Sequence, residues 1–202
     1  MKRILWDVDT QIDFVRADGK LAVPGAEAVA PAMERLVASA RAVGVPHVAS
    51  ADDHELTDAE ISDAPDYRTT YPPHCLRGTV GAEKIAATRQ LDPVPLGLTP
   101  VPERWLVGRE YLLLKKSFDV FTNPNAEELL RLLDPTEVVV FGVATDVCDD
   151  AAIRGLRARG FDVTFVEDAS RGLDEARTAA CLEAWRGLGV RFAATDEVCR
   201  EW

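Results

Sequence analysis

The sequence has no apolar run approaching the roughly 20 residues that a membrane-spanning helix requires, which excludes an integral helical membrane protein. Basic residues are scarce as well: 23 Lys and Arg stand against 34 Asp and Glu, for a net charge of -11. Nucleic acids and anionic lipid surfaces are held by clustered Lys and Arg, so neither is an expected partner. The excess acidity serves solubility. The four cysteines, Cys75, Cys148, Cys181 and Cys199, lack the paired spacing of a zinc knuckle or a disulfide framework. Free thiols in a reducing compartment are the simplest reading. The N-terminus runs into an apolar segment at Ile4 with no signal-peptide core before it, and a cytoplasmic location is expected. Repeats and low-complexity segments are absent too.

What the chain does have is 202 residues, 47% of them hydrophobic, which suits one well-buried core and predicts a single domain over 1–202. Short β-branched runs at 4–6, 45–50, 111–115, 138–141, 161–166 and 191–194 alternate with helical patterns at 26–43, 126–133, 148–159 and 174–188. That alternation predicts an α/β fold: a three-layer α/β/α arrangement with a doubly wound, mostly parallel six-stranded sheet. The stretch 51–104 breaks the pattern. It is long, proline-rich and contains His54 and His74, so it is read as a substrate and metal region.

Chemistry concentrates at predicted strand ends. Cys148 follows the apolar run 138–141 through a glycine turn and opens a predicted helix, where free N–H groups and the helix dipole favour a thiolate. Asp9 follows the first strand and Lys115 closes the run 111–115, so parallel strands would bring all three groups above their carboxyl ends. Asp52 and His54 are two apart, on one side of an extended chain, and His74 returns from a Pro-Pro turn. Cys181 reads as packing, and His47, inside a strand, as a satisfied structural histidine.

Six segments occur in an order that resembles the isochorismatase-like cysteine hydrolases, the nicotinamidases most closely: Asp9-Thr10-Gln11-Ile12-Asp13-Phe14, Leu21 to Ala26, Asp52-Asp53-His54, Tyr71-Pro72-Pro73-His74-Cys75, Lys115 to Phe121 and Gly142 to Cys148. The resemblance implies a catalytic triad of Asp9, Lys115 and Cys148, selecting Asp9 over Asp7 and Asp13, and Lys115 over Lys116, which reads as a solvated amine. It implies an oxyanion hole from the backbone of Ala144 and Cys148, with a cis bond before Ala144. It also implies a divalent metal ion, zinc, manganese or iron, on Asp52, His54 and His74. Glu60 stands where a further histidine is common in the family.

Phe14, Tyr71, Val143 and Val147 are the expected substrate contacts, and the expected partner is a small planar amide, cleaved to acid and ammonia through a Cys148 thioester. Asp149 and Asp150 are expected to face away from the sulfur. N-carbamoyl compounds remain open as substrates, as does homo-oligomer formation. Isochorismate hydrolysis is disfavoured, since that branch can lack the thiol. Two alternatives of other classes compete. Asp7-Val8-Asp9-Thr10 resembles the opening of haloacid-dehalogenase-like phosphatases, with Glu167 and Asp168 as magnesium acids. A family member that binds ligand without turnover is the other.

Overall fold

The computed structural model describes residues 2–202. Its strands are β1 (Arg3–Val8), β2 (His47–Asp52), β3 (Val94–Leu96), β4 (Glu110–Lys115), β5 (Glu137–Gly142), β6 (Asp162–Val166) and β7 (Arg191–Ala193). All pairings are parallel, in the order β3-β4-β2-β1-β5-β6-β7. The sheet therefore has seven strands, one more than expected. The extra strand, β3, is three residues long and contains Pro95, which a sheet tolerates at its edge, where a missing N–H costs no ladder bond. The stretch 51–104 thus contributes to the sheet as well as to the loops above it.

Helices cover both faces, which is why the central strands β1, β2 and β5 are buried almost throughout. Ile4, Trp6 and Val8 of β1 pack with α3 (Ala126–Leu133), α4 (Asp150–Ala158) and α5 (Glu175–Gly187). Leu5 faces the other layer, α2 (Ala30–Val43) and α6 (Thr195–Glu201), following a short α1 (Ile12–Val15). In α2 the buried residues Met33, Leu36, Val37 and Ala40 recur at helical spacing, and Gly44 ends it at φ +75°. This helix starts later than the predicted 26–43. Pro31 fits only a first turn, so residues before Ala30 form a separate 3-10 turn, Ala26–Val29.

The chain leaves β1 in one direction through α2 to β2, and later crosses back through α3 to β5 on the other side of β1. Right-handed crossovers in opposite directions must lie on opposite faces, so a crevice opens at the carboxyl ends of β1 and β5. Gly142 lets those two ends meet. Its φ is +145°, and a Cβ there would fall 2.2 Å from the Val8 carbonyl oxygen.

Candidate active site

Asp9, one residue beyond β1, takes a left-handed backbone conformation at φ +48° that turns its carboxylate into the crevice. Its Oδ1 accepts a hydrogen bond from Ser50 Oγ at 2.7 Å. Its Oδ2 lies 2.8 Å from Lys115 Nζ and otherwise accepts no hydrogen bond. Lys115 ends β4 in register with Asp52, and its buried ammonium also contacts Asp52 Oδ1 and Cys148 Sγ, the latter at 3.8 Å. Cys148 does not open a helix as expected. It sits in a wider π-helical turn, Thr145–Asp149, closed by the Asp149 N–H donating to Ala144 O at 3.1 Å, and α4 begins two residues later. The Val143–Ala144 bond is cis, and the Ala144 N–H meets no acceptor among the described residues.

Burial favours the neutral form of Lys115, but the carboxylates of Asp52 and Asp9 outweigh it and hold the amine well above its ordinary proton affinity. Burial likewise opposes ionisation of Asp52, and there Lys115 with the two histidines wins, keeping the carboxylate low in proton affinity. Cys148 goes the other way from the thiolate expectation. Burial pushes its thiol well up, and one ammonium does not offset burial plus the carboxylates of Asp9 and Asp52. That direction favours a protonated sulfur beside the Asp9 carboxylate.

Asp52 joins two clusters. Its Oδ2 is 3.7 Å from both His54 Nε2 and His74 Nε2, and the three side chains offer ligand atoms all within 4.8 Å of one another. The Nδ1 of His54 faces Asp58 Oδ2 at 3.3 Å and that of His74 faces Pro72 O at 2.8 Å, so both Nε2 atoms point inward. His54 Nε2 is buried without a hydrogen-bond partner, which an isolated polar atom does not tolerate cheaply. One carboxylate and two imidazoles fit a divalent cation such as zinc, manganese or iron. Glu60 is outside this trio and lines the neighbouring cavity, where burial and the Asp52 charge raise its proton affinity.

That cavity has a volume of about 370 Å³ and reaches Cys148, Ala144 and Asp52. Phe14, Tyr71, Val143 and Val147 are among its lining residues, the Phe14 and Tyr71 ring centroids lying 5.4 and 6.4 Å from that of His74. Tyr67, Phe118, Leu173 and Arg177 line it without having been foreseen. Only Phe118 carried a signal, its place inside the segment Lys115 to Phe121.

Residues 4–197 match the isochorismatase domain model. The chain belongs to the isochorismatase family. It is 31% identical to the nicotinamidase/pyrazinamidase of Mycobacterium tuberculosis over 96% of this chain and 100% of that one. It is also 26% identical to an Arabidopsis thaliana protein named a probable inactive nicotinamidase, over 96% of this chain and 93% of the other. Among solved structures, the zinc complex of the Pyrococcus horikoshii pyrazinamidase superposes with a TM-score of 0.77 at 23% identity, covering 96% of this chain and 99% of that one.

Family membership removes the phosphatase alternative, and the geometry agrees. Asp7 is fully buried, and its Oδ1 is tied to Lys84 Nζ at 3.1 Å and Thr10 Oγ1 at 2.7 Å. Asp168 Oδ1 accepts from Thr195 N at 2.7 Å and Thr195 Oγ1 at 2.9 Å, at the start of α6. Asp13 accepts from Cys75 N at 2.7 Å and Lys20 N at 3.1 Å, pinning two loops. Two sequence readings need correction. His47 is buried with Nε2 3.6 Å from Asp7 Oδ2, and neither ring nitrogen meets a closer hydrogen-bond partner among the described residues. Lys116 is not simply solvated, because the loop after β2 folds back and Asp58 Oδ2 meets its ammonium at 2.7 Å. No helix among the described residues is long and apolar enough to cross a membrane.

Asp150 turns to Trp185 Nε1 of α5 at 2.7 Å and to Arg154 one turn along α4. Asp149 is different: it is wholly buried on the side of α4 that carries Ala152, Ile153 and Leu156, with Thr145 as its near polar neighbour and no full hydrogen bond to either carboxyl oxygen among the described residues. Burial, and then the charge of Asp9, raise its proton affinity well above the ordinary carboxyl value. In the unfolded chain this group ionises near pH 4, so above that pH folding must take up a proton and loses about 1.4 kcal/mol per pH unit until the raised folded pKa is reached. Asp149→Asn lacks that penalty. Its stability advantage over the native protein should be close to nil at pH 4 and widen with pH in urea melts. A pH-independent difference would show that the carboxyl is ionised in the fold.

Proposed function

We propose that this protein is a cysteine amidohydrolase that cleaves a small planar carboxamide, of the nicotinamide type, to the acid and ammonia. The observation that carries the reading is the convergence of Cys148 Sγ and Asp9 Oδ2 on one buried ammonium, at 3.8 and 2.8 Å, on the wall of an aromatic-lined cavity. A flat ring would lie between Phe14 and Tyr71, with Val143 and Val147 closing the slot. Cys148 Sγ attacks the amide carbon while Asp9 Oδ2 accepts the thiol proton, so the sulfur need not be ionised at rest. The resulting oxyanion is met by the N–H groups of Ala144 and Cys148. Asp9 returns its proton to the amide nitrogen, the C–N bond breaks, and ammonia leaves a thioester on Cys148. Water then attacks the thioester, Asp9 takes a proton from it, and the acid departs as the thiol is restored. Lys115 stays charged throughout and steadies whichever neighbour is negative.

Asp52, His54 and His74 would hold the divalent ion, with Glu60 on the cavity side as a further candidate ligand. Bound there, the ion would supply Lewis acidity next to the substrate ring and the attacking water. His74→Ala should therefore lower metal content and raise KM before it touches kcat, and unchanged values of both would sink the metal assignment.

Ammonia release from a panel holding nicotinamide, pyrazinamide, benzamide and an N-carbamoyl amino acid, with zinc- or manganese-loaded protein, tests the function. Turnover of the planar carboxamides is expected. The non-catalytic reading has a relative named as inactive in its favour, and it prevails if a protein with an intact, titratable Cys148 thiol releases no ammonia from any of them.

A further inference from the structure

We propose that Asp58 is the positioning residue of the metal centre and that Lys116 is its anchor, so that the two consecutive lysines at the end of β4 serve different centres. The inference rests on the reading of Asp52, His54 and His74 as metal ligands. His54 lies on the irregular chain beyond β2, held in its backbone only by bonds to the Cys75 carbonyl at 3.1 Å and from the Arg77 N–H at 2.8 Å. Those bonds place the residue and leave undecided which nitrogen of its buried ring carries the proton. Asp58 Oδ2 decides it by facing Nδ1 at 3.3 Å, which makes Nδ1 the protonated nitrogen and leaves the Nε2 lone pair for a cation.

Asp58 is in turn fixed. The same Oδ2 accepts from Lys116 Nζ at 2.7 Å and from the Glu55 N–H at 2.8 Å. Strand alternation explains how Lys116 gets there: Lys115 enters the triad, and the next side chain emerges on the other side, under the loop of Asp58. The chain Lys116, Asp58, His54 thus ties a loop-borne ligand to the rigid edge of the sheet, and the carboxylate adds negative charge behind the imidazole that faces the cation.

The test is zinc affinity of metal-free protein, measured by competition with a chromophoric chelator, alongside the melting temperature of the metal-free form. Asp58→Ala should weaken zinc binding by about 10- to 100-fold, the usual consequence of losing a carboxylate behind a ligating histidine. Asp58→Asn, which keeps an acceptor but no charge, should lose less, and guards against a folding failure of the alanine variant. Lys116→Met should also lose less than Asp58→Ala, since Glu55 still holds the carboxylate. The chain has three histidines, so the ring nitrogens of zinc-loaded protein are resolvable by NMR. The His54 Nδ1 proton should be slow to exchange in the native protein and fast in Asp58→Ala. Native affinity in Asp58→Ala, or a loss in Lys116→Met as large as in Asp58→Ala, overturns the inference alone. Native protein that takes up no zinc overturns the metal centre and this inference with it.

Discussion

Cys148→Ala should remove turnover of every amide the native protein accepts, with a fall in kcat on the order of 10⁵- to 10⁶-fold, the scale seen when the nucleophile of an acyl-transfer unit is deleted. The expectation follows from what remains. Lys115 and Asp9 still form their 2.8 Å pair, and the cavity still binds a ring, but no group stands where the sulfur did to form an acyl intermediate. Because the metal trio does not include Cys148, zinc content and melting temperature should match the native protein. Asp9→Asn should be nearly as inactive, since the protonated thiol then has no acceptor. The double variant should be no worse than either single one, because groups that act as a unit cannot be lost twice. Mass spectrometry of quenched turnover should find an acylated native chain and no acylation of Cys148→Ala. Residual activity within tenfold of native in Cys148→Ala would end the thioester mechanism.

The approach of Asp9, Lys115 and Cys148 was legible because each stands at the end of an apolar run, and strand ends in a parallel sheet share one edge. Motif order then set the register. What could not be read depends on partners distant in sequence. Ser50 is an unremarkable strand serine until the fold puts it 2.7 Å from Asp9. Lys116 could be placed on the opposite side from Lys115 by alternation, but not under a loop whose path is irregular. The upward push on the Cys148 thiol is hidden from the sequence for a similar reason. The helix-start argument considers one backbone, whereas the outcome depends on burial and on two carboxylates that only the folded chain brings near one ammonium. Strand β3 escaped because three residues around a proline carry no period, and its place is set by β4 alongside it.

The second large effect concerns the buried pair under the site. Lys84→Met should destabilise the fold by about 3–5 kcal/mol, because removing one partner of a buried ion pair strands the other charge. Lys84 Nζ is 3.1 Å from Asp7 Oδ1 and 3.3 Å from Thr10 Oγ1, with side chains 7% and 0% exposed for the pair itself. Burial pushes Asp7 toward protonation, and Lys84 is the main influence that keeps it ionised. A carboxylate held low in this way stabilises the native state above its unfolded pKa near 4, and that contribution is lost as pH falls through the lower folded value. With Lys84 gone the balance reverses, and Asp7 takes a proton in the fold at pH values where the unfolded chain would not. The deficit of Lys84→Met should therefore be largest near neutrality and shrink toward pH 4. At roughly 2–4 °C per kcal/mol for a chain of this size, it is large enough to read in a thermal melt. Asp7→Asn/Lys84→Met, with both charges removed, should recover much of the loss, since replacing a whole buried pair by neutral groups is often close to neutral. Strict additivity of the two single losses would mean that Asp7 and Lys84 do not stabilise each other. In that case the tie between the first strand and the loop that carries Lys84 would lie in Thr10 and Thr88, whose hydroxyls meet at 2.6 Å.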